Sequence, residues 1–263
     1  MSEISIEVVT NYDPRITNLL ESIRKQTFQG YEVIVVSSDS TVKELVSPFD
    51  LKFVIAENTG TLYRRILAHE FSSSKRALLL ESSRFLVPDA LEELIKTRND
   101  LKIVEEKDVG NNYISKIQNI ERKKDLLNTK NFDPDFLAAE PRYFNSEVLT
   151  SAFTKIRNIP AEILKKIQWG DMDIIYYETF KISQSVEVIN KPLIFHFSDE
   201  SITELIKKYY NYGVSSRELN FTIYRNNFKM RNHFRPFSGP VDTILVYSLW
   251  TIKAVSFAIG AYL

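Results

Sequence analysis

Four short polar segments each follow an apolar run in the first hundred residues: Thr10-Asn11-Tyr12, Ser37-Ser38-Asp39-Ser40, Asn58-Thr59-Gly60 and Glu81-Ser82-Ser83-Arg84. Any one of them reads most simply as a turn or a helix cap. Four in succession, each at the end of a strand-like run, point to a shared crevice for a polar ligand. Further along, Trp169-Gly170-Asp171-Met172-Asp173 sets two carboxylates two residues apart at the start of a helical segment. That spacing keeps them off one helix face, so one can brace the turn while the other points into a cleft. No Walker lysine motif and no GxGxxG occurs, which leaves P-loop and dinucleotide readings without support. The absence of cysteine excludes disulfide scaffolds, Cys-based zinc sites and thiol catalysis.

The elements that would carry these segments can be read from periodicity. Ile4 to Val9, Tyr31 to Val36, Lys52 to Ile55 and Arg76 to Leu80 read as strands. The second is nearly all apolar, as a strand buried on both faces is. Helical spacing follows each: Ile16, Leu19, Leu20 and Ile23 behind an Asp13 cap, then Val42 to Val46, Gly60 to Phe71 and Asp89 to Lys96. Strand–helix alternation of this kind predicts an α/β fold with a mostly parallel sheet and helices on both faces. Leu101 to Val104 reads as a further strand, while the polar stretch from Asn111 to Pro141 carries no assignable pattern. Helical spacing returns at Ser146 to Ile156, Ala161 to Ile167 and Asp171 to Phe180. Strands are predicted at Val186 to Ile189 and Leu193 to Phe197. Ser201 and Glu204 form a capping-box pair for a helix to Tyr210.

Of 263 residues, 44% are hydrophobic and 26% charged, with 34 basic and 34 acidic side chains. That is globular composition, and the zero net charge speaks against a nucleic-acid partner. The N-terminus shows no signal-peptide pattern, so folding in the cytosol is expected.

These residues resemble a family 2 glycosyltransferase with the GT-A, nucleotide-sugar-binding fold. Such enzymes open with a strand ending in a Pro-Thr-Tyr-Asn-like turn. A helix ending in Gln-Thr follows, and then a strand running into Val-Asp-Asp-Gly-Ser-Thr. The matching text here is VVTNYDPRITNLLESIRKQTFQGYEVIVVSSDST. Asn58 to Tyr63 resembles the Gly-containing segment of dolichyl-phosphate mannose synthases, and LLLESSRFLVPDALEEL resembles the strand, Asp-x-Asp, proline and helix that follow. The resemblance implies donor-binding roles for Thr10, Asn11, Tyr12, Asp39, Asn58, Gly60, Arg64, Glu81, Ser82 and Ser83. It implies that Asp171, matching the first acid of the family's Glu-Asp-x-Asp motif, is the base of an inverting displacement. Trp169, Asp173 and Arg142 are assigned to the acceptor side. Lys207 to Gly213 resembles a Lys-Tyr-x-x-Tyr-Gly segment whose tyrosines either stack on acceptor or pack.

The family's Asp-x-Asp binds a divalent metal, magnesium or manganese, that bridges the donor diphosphate. Here it reads Glu81-Ser82-Ser83, and the second-strand Asp-Asp reads Ser37-Ser38. Glu81 and His196 are the residues left for a metal, so a weak or absent metal requirement is expected. His196 reads equally as a core histidine. Arginines can neutralise a diphosphate as well; Arg64, Arg65, Arg84 and Arg142 are the candidates, against a solvated helix face for each. The resemblance implies transfer of a sugar from a nucleotide-sugar to a lipid-linked or glycan acceptor in glycan biosynthesis. The alternative is a non-catalytic GT-A-like binding or assembly subunit that has lost the metal site; a nucleotidyltransferase lacks its loop after the first strand.

Three regions follow: a GT-A catalytic domain over 1–200, a helical extension over 201–240 and an apolar segment over 241–263. The extension carries Arg225, Lys229, Arg231, His233 and Arg235 with no acid from Leu219 to Val241. In the last segment 16 of 23 residues are apolar. A helix of that length reaches about 34 Å, enough for a bilayer core of about 30 Å. Asp242, Lys253 and the central Trp250 disfavour spanning, so a peripheral helix on the cytoplasmic face of the cell membrane is expected.

Overall fold

The computed structural model describes residues 2–110, 112–127, 132, 134, 139–198, 201–226 and 239–263. One eight-stranded sheet organises them. Its strands are β1 (Ile4–Thr10), β2 (Tyr31–Ser37), β3 (Lys52–Ile55), β4 (Arg76–Glu81), β5 (Arg84–Leu86), β6 (Leu101–Val109), β7 (Tyr143–Asn145) and β8 (Val186–Phe197). They lie in the order β3-β2-β1-β4-β7-β6-β8-β5. β1 pairs in parallel with both β2 and β4, and β2 with β3. β7 is antiparallel to β4 and β6, and β5 to β8.

The helices are α1 (Ile16–Arg24), α2 (Val42–Val46), α3 (Thr61–Glu70), α4 (Ala90–Ile95), α5 (Tyr113–Leu127), α6 (Ser146–Ile156), α7 (Ala161–Leu164), α8 (Asp171–Ile182), α9 (Ile202–Leu219) and α10 (Pro240–Tyr262). Side-chain alternation along the strands sorts them onto two faces. Ile4, Ile6 and Val8 of β1, with Leu78 and Leu80 of β4, pack under α1, α2 and α4. Ala77 and Leu79 face the other way, with Leu101, Ile103 and Phe144, under α3, α6 and α8. On that second face β1 carries Glu7, fully buried, whose Oε1 lies 2.8 Å from His69 Nδ1 of α3.

Several expectations need revision. Asp13 does not cap α1: Arg15 occupies that position, and Asp13 Oδ1 instead accepts from the Arg15 amide and side chain. β6 runs five residues past Val104, and β8 is a single strand whose pairing with β6 slips at Glu105. β5 and β7, three residues each, had no periodicity to show them. α5 fills much of the unassigned polar stretch. The Ser201–Glu204 capping box is present, and α9 continues to Leu219.

α9 and α10 lie side by side in one direction: Tyr209 by Lys253, Gly213 by Phe257, Arg217 on the Gly260 carbonyl at 2.6 Å. Glycine permits this approach. A Cβ at Gly213 would overlap the Phe257 carbonyl oxygen, and one at Gly260 the Tyr210 carbonyl oxygen. Backbone atoms cannot step aside as a side-chain tip would. Gly213→Ala should therefore lower stability by about 1–3 kcal/mol, the usual range for overpacking. Chemical denaturation followed by circular dichroism checks this, and unchanged stability would refute so close a crossing.

Candidate active site

The consecutive arginines of α3 build the site. Neighbours on a helix point about 100° apart, so Arg64 and Arg65 reach two different strand ends. Both are buried, at 2% and 0% exposure, which overturns the solvated-face alternative. Arg64 Nη1 donates to the Thr10 carbonyl, to Asn11 Oδ1 at 2.7 Å and to Ser38 Oγ at 3.2 Å. Ser38 Oγ in turn donates to Asn11 Oδ1 at 2.6 Å. The guanidinium thus ties the ends of β1 and β2 to α3. Burial, and then the charge of Arg65, push its pKa down to about 10.

Around this joint stand the other residues expected to bind a donor. Asp39 follows β2, and its Oδ1 accepts from the Thr41 amide at 2.9 Å and hydroxyl at 2.5 Å. Those two bonds, the hydroxyl first, hold its carboxyl below the usual range. Tyr12 is exposed. Asn58 has φ 55°, the left-handed region, in the turn before α3. Gly60 serves a packing purpose: a Cβ there would overlap the Ile167 carbonyl, and its amide donates to Lys165 O at 2.5 Å. The loop before α8 is thereby pressed onto the start of α3.

Arg65 turns toward β4. Its Nε lies 2.5 Å from Asp171 Oδ2, and its Nη2 contacts Glu81. Glu81 is also gripped by Arg84, and by Arg142 Nη1 at 3.3 Å. Arg142 and Arg84 reach on to Glu106 Oε1, at 2.8 and 3.4 Å. Arg122 bridges Glu106 Oε2 at 3.0 Å and Asp108 Oδ2 at 2.5 Å. Asp108 Oδ1 accepts from His196 Nδ1 at 2.6 Å. Ser82, beside Glu81, donates to Asp13 Oδ2 at 2.9 Å. The chain Asp171–Arg65–Glu81–Arg84 and Arg142–Glu106–Arg122–Asp108 alternates in charge from α8 to the sheet's far side.

The electrostatics follow. Burial alone would raise the Glu106 carboxyl, but Arg142, Arg84 and Arg122 hold it well below the usual range. Asp108 is likewise lowered, the His196 bond and Arg122 outweighing burial. His196 is pushed down to about 4, by burial first and by Arg84 and Arg122 against the opposing Asp108 bond, so it is neutral. Arg142 is raised, because Glu106 and Glu140 outweigh its burial.

A divalent cation does not fit this arrangement. Both Glu81 oxygens are engaged by guanidinium groups. A dication bound there would face Arg65, Arg84 and Arg142 at contact range, where like charges repel strongly. His196 Nδ1 is spent on Asp108, and no group of three potential ligands occurs among the described residues.

Asp171 is not a helix cap. Gly170 holds the cap position with φ 77°, leaving Asp171 as the first helical residue with its carboxylate on Arg65. Asp173 lies half-buried in the same first turn. Trp169 stacks edgewise on Phe257 of α10, ring centroids 4.8 Å apart. Arg142, expected near an acceptor, stands with Glu81 and Glu106. Ser83 passes its carbonyl to the Phe197 amide at 2.8 Å. Glu106, Asp108 and Arg122 are additions to the residues that the sequence points to, and Asp13 joins them in place of its expected role as a cap. Alternating acids at 106 and 108 were the available signal, hidden because the strand was read as ending at Val104.

The fold is that of GT-A glycosyltransferases. The crystal structure of S. aureus TarS residues 1–349 has TM-score 0.55 and 15% identity, covering 99% of this chain and 81% of that one. Its complex with UDP gives 0.57 and 14% over 98% and 89%. The complex with UDP-GlcNAc gives 0.55 and 14% over 97% and 81%. No protein-family profile and no curated protein matches the sequence.

Neutral, buried His196 makes an expected pH dependence. Its pKa lies below the ordinary 6.5 when folded, so the unfolded chain binds the proton more readily. Its contribution is therefore intact above pH 6.5 and lost as pH falls toward about 4. The full effect is at most about 3 kcal/mol. His196→Gln keeps a donor for Asp108 but does not titrate. Urea midpoints measured from pH 7 to 4 should fall less steeply for the variant than for the native chain.

Proposed function

We propose that this chain is a glycosyltransferase of family 2 type, transferring a sugar from a nucleoside-diphosphate sugar to a lipid-linked or glycan acceptor with inversion. One observation carries the reading. A single buried guanidinium, Arg65, joins the end of β4 to the first residue of α8, holding Glu81 and Asp171 at one strand edge. That edge is where open α/β sheets bind ligands. The fold shared with TarS, crystallised with UDP and UDP-GlcNAc, favours a UDP-sugar as the first donor to test.

In this reading Asp171 takes the proton of the acceptor hydroxyl as it attacks the anomeric carbon, and the nucleoside diphosphate leaves on the opposite side. Arg65 orients the carboxylate. Asn11, Tyr12 and Asp39 lie along the joint secured by Arg64, where the nucleoside would sit. Trp169 and Asp173 border the acceptor side. The same Arg65–Asp171 bond also favours the second reading, a non-catalytic binding subunit, because it occupies the base. Asp171→Asn separates the two. It should keep UDP affinity but lower sugar transfer roughly a hundredfold or more. The measurement is sugar released or transferred from UDP-sugars, beside UDP calorimetry. Native protein that binds UDP and turns over no UDP-sugar would favour the subunit.

The same proposal places the chain against the cytoplasmic face of a membrane through α10. This helix is long and apolar enough to cross a bilayer, with mean hydropathy 1.6 over its most apolar stretch. Its central charge is turned inward: Lys253 Nζ lies 2.7 Å from Glu121 of α5, which also accepts from Trp250 at 2.5 Å. Val241, Ile244, Val255, Ile259 and Tyr262 face outward. One side of α10 packs on α9 and α5, so contact with lipid would be along the other side. Lys229, Arg231, His233 and Arg235 lie outside the described residues. The chain should sediment with anionic liposomes, and Ile244→Glu with Val255→Glu should release it without lowering its melting temperature. Equal sedimentation of both proteins would count against lipid contact.

A further inference from the structure

Three guanidinium groups converge on one carboxylate at the end of β4. Arg65 and Arg142 meet Glu81 Oε1, and Arg84 meets Oε2. The arginine side chains are 0%, 10% and 8% exposed, whereas that of Glu81 is 26% exposed. The cations are fixed in the wall and the anion sits at the mouth. Each arginine, moreover, has a second acid deeper in the structure. Arg65 keeps Asp171, and Arg84 and Arg142 keep Glu106. Withdrawing Glu81 therefore strands no buried positive charge, which would otherwise forbid the movement. Withdrawing Arg65, by contrast, would take from Asp171 the guanidinium that meets it. Glu81 is the exchangeable member of the set.

The donors it would expose are forks, whose paired N–H groups match phosphate oxygens as well as carboxylate. They lie beside Ser82 and Ser83, at the strand end next to the joint of β1 and β2. Resting on the nucleotide-sugar reading above, we propose that Glu81 is an internal stand-in for the donor: its carboxylate fills a three-arginine pocket that takes the diphosphate, and the two anions exchange without a bridging divalent cation. The arginines then neutralise the departing nucleoside diphosphate.

This assigns Glu81 a role opposite in sign to that of a metal ligand, so one substitution distinguishes them. Glu81→Gln removes the competing charge. Titration calorimetry with UDP and with inorganic pyrophosphate, in EDTA and then in manganese, is the test. The native protein should bind both without metal, and the variant should bind both roughly tenfold tighter, the scale of one hydrogen bond to a charged group. Arg142→Lys keeps the charge but loses the fork, and should bind more weakly than native while melting at a similar temperature. Binding that needs manganese and disappears in Glu81→Gln overturns the inference and leaves the nucleotide-sugar reading standing. Pyrophosphate binding without UDP binding keeps the pocket and removes the nucleotide. If neither ligand binds native or variant protein under any condition, both are wrong.

Discussion

A guanidinium with no solvent contact depends on the acids that meet it, and Arg65 depends on two that lie far apart in the chain. Glu81 ends the fourth strand, and Asp171 begins a helix ninety residues later. Burying the charge is tolerable only while an acid meets it, because an uncompensated buried ion costs several kcal/mol. Arg65 therefore ties the end of β4 to the start of α8. The same logic propagates outward. Glu81 calls for Arg84 and Arg142, these for Glu106, and Glu106 for Arg122. What a metal ion does in many carboxylate-lined clefts, gathering side chains from several strands, is done here by side chains of opposite charge.

Most of the central architecture was legible because its signals are local. β1, β2 and β4 show apolar runs, their helices show 3.6-residue spacing, and polar strand ends fall between them. The positions of Thr10, Asn11, Asp39 and Glu81 at one edge follow from that alternation alone. The chemistry of the edge was less legible. Whether an arginine is solvated or buried depends on its partners, and Arg84 and Arg142 share Glu106 of β6 besides Glu81, in a stretch that alternates acid with apolar only weakly. β5 and β7 are too short to show a period, and α5 is mostly polar, with Ile114 and Ile117 packing against Leu205 of α9 and Val246 and Leu249 of α10. His196 was open between ligand and core histidine; its Asp108 bond and arginine neighbours place it inside the ion-pair chain.

Glycine, scarce in this sequence, is spent where backbones touch. Gly60 lets the loop carrying Ile167 close on α3, which brings Asp171 within reach of Arg65. Gly213 and Gly260 let α9 and α10 meet without side chains between them. Ser215 of α9 accepts the Gln168 amide at 2.8 Å, so this helical pair is bonded to the loop before α8 as well as to itself.

The Trp169–Phe257 ring contact then acquires a meaning beyond packing. It joins the Trp169-to-Asp173 segment to α10. Where two sites are coupled, the coupling runs equally in both directions. A shift of α10 would carry Phe257 against Trp169, and a shift of the loop before Asp171 would carry Trp169 against α10.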